Sequence, residues 1–488
     1  MLFRFDNTYA RLPERFCARV LPTPVAAPSL LALNRGLAGE LGLPAEQLTS
    51  PEGVAVLAGN RIPEGAEPVA CAYAGHQFGV FVPQLGDGRA ILLGEIVGGD
   101  GRRRDVQLKG SGRTPFSRDG DGRAAVGPVL REYLVGETMH ALGVPTTRAL
   151  AAVRTGEEVF RQGPLPGAVL TRVASSHIRV GTFEYFAARG DREALSRLVA
   201  FALERHYPDA PRREGAALAL FDAVAGAQAD LVARWLALGF VHGVMNTDNM
   251  AVSGETIDYG PCAFLDAYDP LRTFSSIDRG GRYAFARQPD AALWNLARFA
   301  EALAALVDAD PARADGILNE RLAALPARLA AAYEAEILRK LGLGSPDDGA
   351  LELARELLER MAADRVDYTL CFRRLSAAAA GAGDSEVADL FHSPAQFRKW
   401  AGRWHRRLSG EPGTPAEHAA RMCRVNPAFI PRNHRVEQAI AAAEAGDMGP
   451  FERLSRVLAR PYDDQPEASD LAEPPGPEQW SYRTFCGT

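Results

Sequence analysis

Hydrophobic periodicity changes once along this 488-residue chain, and any fold has to accommodate both halves of that change. Between about residues 69 and 175 the apolar runs are short. "AILLGEIV" (90–97) and "DVQLKG" (105–110) are separated by "GGDGRRR", whose Gly-Gly-Asp-Gly suits a hairpin turn. "TTRALAAVRTG" (146–156) and "GAVLTRVAS" (167–175) have the same strand character. One helix interrupts them: "GPVLREYLVGETMHALG" sets Val129, Leu130, Tyr133, Leu134 and Leu142 at helical spacing and stops on Gly143, with Pro145 beyond. From about residue 182 onward the pattern is helical and Ala/Leu-rich, in "GAALALFDAVAGAQADLVARWLALGF" (215–240), "DAALWNLARFAEALAALV" (290–307) and "DGILNERLAALPARLAAAYEAEILRKLG" (315–342).

Strands first and helices after predict an α+β protein with the bilobal order of a protein-kinase-like fold, a small β-rich N-lobe and a larger helical C-lobe. Residues 1–68 read as an N-terminal extension packing on the lobes, 69–175 as the N-lobe, and 176–460 as the helical C-lobe with catalytic loop and metal site. Residues 461–488 read as a Pro-rich, acidic tail without regular structure.

Composition excludes several function classes. At 47% hydrophobic and 24% charged the chain can bury a large core. A net charge of -6 argues against a sequence-independent grip on nucleic acid, and the basic run Arg102–Arg104 sits in the hairpin turn. No stretch of about 18 apolar residues runs free of charge and the N-terminus has no apolar signal core, so the expectation is a cytoplasmic protein with no membrane partner. Six cysteines show neither CxxC nor zinc-like spacing.

Four elements carry chemistry. In "PQLGDGRAILLGEI", Gly86 and Gly88 let backbone approach a phosphate, and Arg89 supplies a bidentate cation. Lys109 ends a strand and Glu132 lies on the next helix, the cation and carboxylate pair that orients nucleotide phosphates in kinases. Asn249 and Asp258, nine residues apart around an expected hairpin "MAVSGETIDYG", are two hard oxygen ligands suited to Mg2+ or Mn2+ on a nucleotide. Finally, Asp121 and Gly122 in "SRDGDGRAAVG", with Arg172 and Arg179 in "LTRVASSHIRVG", offer a second set of polyphosphate contacts.

The loop "VHGVMNTDNM" (241–250) departs from a kinase at one position. Val244 stands where a kinase has its catalytic Asp, which accepts the hydroxyl proton. Asp248, four residues on, keeps a carboxylate in the loop. Metal ligands retained beside a displaced base point to altered chemistry.

The blocks "QLGDGRA", "LKGSGRTPFSRDGDGRA", "LREYLVGETMHALGVPTTRAL", "VHGVMNTDNM", "IDYGPCAFLDAYDP" and "NPAFIPRNHRVEQAI" together resemble the selenoprotein O family over nearly the whole chain. The resemblance implies a kinase-like fold and a protein adenylyltransferase, moving AMP from ATP to Ser, Thr or Tyr hydroxyls of protein substrates. UMP transfer from UTP is also attributed to the family. It implies a nucleotide inverted relative to kinases, with pyrophosphate leaving. Carried over, the nucleotide site is Gly86, Gly88, Arg89, Lys109, Asp121, Gly122, Arg172 and Arg179. Asn249 and Asp258 are the metal ligands, Asp248 the proton acceptor, and Glu132 the partner of Lys109. It also implies a disulfide between Cys262 and Cys486 that restrains activity until reduced. Two other readings stay open: a small-molecule kinase of the aminoglycoside or choline type, which keeps an Asp at the Val244 position, and a pseudokinase scaffold that binds nucleotide without turnover.

Overall fold

The computed structural model describes residues 2–344, 346–476 and 482–484. Twelve strands are seen among them: β1 (Cys17–Arg19), β2 (Ser29–Leu33), β3 (Val69–Cys71), β4 (Gly75–Gln77), β5 (Val80–Val82), β6 (Ala90–Val97), β7 (Arg103–Lys109), β8 (Ala124–Ala125), β9 (Arg148–Phe160), β10 (Pro164–Ala174), β11 (Phe240–Val241) and β12 (Ala263–Phe264). The helices begin with α1 (Arg35–Glu40), α2 (Ala45–Leu48), α3 (Pro51–Leu57), α4 (Val126–Ala141), α5 (Val180–Ala187), α6 (Arg192–His206), α7 (Ala216–Leu238) and α8 (Gln288–Val307). They continue with α9 (Pro311–Lys340), α10 (Asp348–Asp364), α11 (Tyr368–Ala379), α12 (Ser385–Ala388), α13 (Pro394–Leu408), α14 (Pro415–Cys423), α15 (Asn433–Glu444) and α16 (Gly449–Leu458).

The main sheet is antiparallel, ordered β1-β3-β6-β7-β10-β9-β2, with β8 added to β10. The expected hairpin forms: β6 and β7 pair from Ala90 with Lys109 to Val97 with Arg103. Both strands are buried along most of their length because the sheet is covered on both sides, with Glu95, Asp105, Gln107 and Lys109 among the buried residues. On one side lies α4, whose Val129, Leu130, Tyr133 and Leu134 pack with Val436, Ile440 and Phe451 of α15 and α16. On the other lie α1–α3, which bury Leu37, Leu41, Val56 and Leu57 against Val106, Leu150 and Val173. Residues 1–68 thus supply two strands of the sheet as well as helices packed on it.

The rest is an α+β arrangement whose helices share one large core centred on α7. This helix is long and apolar enough to cross a membrane by length and composition, but the fold buries it in the protein core. It ends where Gly239 takes a left-handed φ of 73°, and β11 follows at once. β11 pairs with β12, and this short ribbon brings the loop at 242–249 beside Asp258.

Two local expectations need correction. Residues 250–260 form no hairpin; Ala251 bridges Arg179 and Thr256 bridges Thr146, so the segment satisfies its backbone against neighbours already in place. The tail is also not wholly irregular, because Pro466–Leu471 makes a 3-10 turn that buries Ala468 and Leu471.

Candidate active site

A cavity of about 700 Å³ opens between the Gly-rich turn after β5 and the loop after β11. Gly86, Gly88, Arg89, Lys109, Asp121, Gly122, Arg172, Arg179, Asp248, Asn249 and Asp258 all line it, while Glu132 stands behind Lys109. These eleven residues are spread from Gly86 to Asp258, so the fold, not local sequence, gathers them.

At its floor the Lys109 ammonium lies 2.5 Å from Glu132 Oε2 and 2.6 Å from Asp258 Oδ1. Arg172 donates to Glu132 Oε1 at 3.1 Å and to Gln107 Oε1 at 2.6 Å. Burial would push both carboxyls up. For Glu132, Lys109 and Arg172 outweigh burial; for Asp258, Lys109 and Arg89 do, so both stay below the usual carboxylate range. Asp258 adopts φ 66°, a left-handed conformation held for a non-glycine residue by its surroundings.

Asp248 sits one position before Asn249 on a 3-10 turn. Arg179 donates to its backbone carbonyl at 2.7 Å, and Gln77 of β4 donates to Oδ2 at 3.2 Å. Oδ1 is buried and has no partner among the described residues; it lies against Gly75, where a Cβ would come within 2.8 Å. Burial lifts this carboxyl to about 6. β4, the turn after it and α5 brace the loop further: His76 N–H donates to Thr247 Oγ1 at 2.7 Å, Thr247 Oγ1 donates to Glu184 at 2.5 Å, and Phe78 N–H donates to Asn246 at 3.0 Å.

Asn249 donates its amide N–H to Val244 O at 3.1 Å, which leaves Oδ1 as the ligating atom. With Asp258 that makes two hard oxygen donors on one wall. Among the described residues no cluster of three or more His, Cys, Asp or Glu offers a closed metal cage. Two oxygens with room for phosphate and water fit Mg2+ or Mn2+, and do not fit a structural zinc site.

Residues 110–123 form a flap closed on itself by Gly112 N–H to Gly122 O. Thr114 Oγ1 donates to Asp87 O at 2.6 Å, and the Phe116 ring covers Gly86, where a Cβ would lie 2.3 Å from it. Asp121 is paired with Arg161 at 2.8 Å, so its carboxylate is already taken. The sequence reading did not single out Arg113, Phe116, Arg118, Gln77 or Phe160, all of which line the cavity. Arg89, Arg113 and Arg118 have no ion-pair partner among the described residues, whereas Lys109, Arg172 and Arg179 are each engaged. The only signal for Arg113 and Arg118 was the charge density of "GRTPFSRDGDGR".

Cys262 is buried, donates weakly to Tyr259 O, and burial pushes its thiol up to about 12. Cys486 lies outside the described residues.

A sequence profile described as "Protein adenylyltransferase SelO" matches residues 1–459. The chain belongs to the SelO family. Proteins called "Protein nucleotidyltransferase YdiU" are similar to it over its full length. The one from Methylorubrum populi is 62% identical over 495 residues, covering 100% of this chain and 99% of the relative. Those from Bradyrhizobium sp. (strain ORS 278) and Rhizobium meliloti are 61% and 59% identical, each over 488 residues with the same coverage. A SelO-family chain is a nucleotidyltransferase, which removes the small-molecule kinase reading.

Proposed function

We propose that the protein binds ATP inverted in a bilobal, kinase-like cleft and transfers AMP to Ser, Thr or Tyr hydroxyls of other proteins. The acceptor oxygen bonds to the α-phosphorus, the bond from that phosphorus to the bridging oxygen breaks, and pyrophosphate leaves with the electron pair. The acceptor proton goes to Asp248. What supports this role is that Asp248 is the only carboxylate in residues 241–250 and lines the same cavity as Asn249 and Asp258. Burial holds its carboxyl near 6, a basicity suited to receiving a proton near neutral pH.

Lys109, Arg172 and Arg89 offset charge as pyrophosphate departs, and Glu132 fixes Lys109 and Arg172 in place. Asn249 and Asp258 would hold Mg2+ or Mn2+, which neutralises phosphate charge when bound. UTP is the second donor of the same type. We also place redox control at Cys262 and Cys486: Thr484, two positions before Cys486, donates to Pro261 O at 2.6 Å, beside Cys262.

The test incubates the reduced protein and lysate proteins with Mg2+ or Mn2+ and ATP labelled at either the α- or the γ-phosphate. Label on protein from the α-position alone, lost in Asp258→Ala, is the expected result. Label from the γ-position alone would make the protein a kinase and overturn the inverted nucleotide.

A further inference from the structure

Sharing no lining residue with the nucleotide cavity, a groove of about 740 Å³ runs between the end of α9 and the outer face of α10, floored at one end by Tyr268 and Pro270. Helix α10 is apolar on two faces. Ala350, Leu353, Leu357 and Met361 face the core and are buried. Leu351, Leu358 and Ala362, together with Tyr333 of α9, are only partly covered and line the groove. Leu351, Leu358 and Ala362 follow the spacing of a helix contact stripe over about 16 Å of axis. Beside the Tyr268 end, Leu271 is 68% exposed.

The rim is acidic. Glu334, Asp348 and Glu352 line the groove and have no ion-pair partner among the described residues, while Arg355 is held by Glu359 at 2.9 Å. Asp348 complements the dipole at the start of α10, but Glu334 and Glu352 have no such role. An apolar stripe between carboxylates that have no ion-pair partner among the described residues repels anionic lipid and nucleic acid. It matches one occupant, a helix with apolar residues on one face and Lys or Arg along its flanks.

We propose that this groove docks a basic amphipathic helix of a partner protein. The docked helix adds a third element to the α9–α10 pair and covers the stripe that the fold leaves half open. The docking step does not depend on the proposed chemistry.

The full-length protein is titrated into a labelled Leu/Lys peptide of about 14 residues with the amphipathic period, and into its Leu/Glu counterpart, at about 50 mM and 300 mM salt. Fluorescence anisotropy reports binding. The Leu/Lys peptide is expected to bind the wild type, and the Leu/Glu peptide not to. Glu334→Lys/Glu352→Lys and, separately, Leu358→Asn are expected to weaken binding by about tenfold or more with the thermal midpoint retained. Glu52→Lys/Glu64→Lys, which makes the same change of charge elsewhere on the surface, is expected to bind as wild type. The proposal is overturned if the wild type does not bind, if the groove variants bind as well as wild type, or if the remote variant is weakened equally.

Discussion

One carboxylate carries the floor of the cavity. Glu132 gives one oxygen to Lys109 and the other to Arg172, all three being nearly buried, and so joins two cations that Asp258 and Gln107 hold on their other sides. Breaking a buried pair from one side leaves uncompensated charge. Glu132→Gln is expected to lower nucleotidyl transfer by about 100-fold or more and to destabilise the protein by about 3 kcal/mol, read from α-phosphate labelling and urea unfolding. The sign with pH follows from the lowered folded pKa. The stabilisation by Glu132 is full above the ordinary carboxylate range and is lost as pH falls through the folded value. Wild type and variant should therefore converge in stability on acidification, and a constant gap down to pH about 2 would contradict this account. Lys109, Glu132, Asn249 and Asp258 were legible because each has a residue type and a spacing that its chemistry demands. Gln77 and Gly75 were not. Their connection to Asp248 crosses about 170 positions of sequence, and no periodicity encodes such a contact.

At the scale of an element, α9 ends on a buried lysine. Lys340 is 2% exposed, and burial pulls its ammonium down to about 7; its Nζ lies 4.3 Å from the Phe372 ring centroid. The unfolded chain binds a proton there between pH 7 and about 10.4 that the folded chain does not, so stability rises with pH across that window. Lys340→Met is expected to flatten the rise and to raise the thermal midpoint at pH 7 and below, measured by calorimetry from pH 6 to pH 10. An unchanged slope in the variant would show that the lysine is charged when folded. Helices were the most legible elements, since α4, α7, α8 and α9 follow apolar periodicity and stop at Gly or at a polar break. The segment after Asn249 was misread because its turn residues fit a hairpin, whereas strand-like contacts with Arg179 and Thr146 satisfied it first.

Across the whole molecule, a few buried ion pairs fasten distant stretches together. Arg432 is 1% exposed and reaches Asp266 at 2.7 Å and Asp367 at 2.6 Å, joining the start of α15 to the segment after β12 and the start of α11. Arg432→Ala strands two carboxylates in a dry interior and is expected to cost about 3–5 kcal/mol, seen as a lower urea midpoint. Arg432→Met should recover much of that loss only when Asp266 and Asp367 are replaced as well. The overall order of strands and helices was readable from periodicity, but the placing of β1 and β2 in the main sheet was not, because strand partners are chosen by the assembled sheet edge.

The cover of α4 has a consequence for how such a protein is made. Arg131 on α4 pairs with Glu437, and Arg154 donates to Ala443 O, contacts that span 306 and 289 positions. At ribosomal rates of about 5–20 residues per second, α4 waits roughly 15 to 60 s for α15 to appear. Throughout that interval Leu130, Tyr133 and Leu134 have no partner helix, so the nascent chain offers chaperones an apolar face in place of a finished cleft. A message cut short before residue 433 therefore yields a client of the quality-control machinery and not a smaller enzyme.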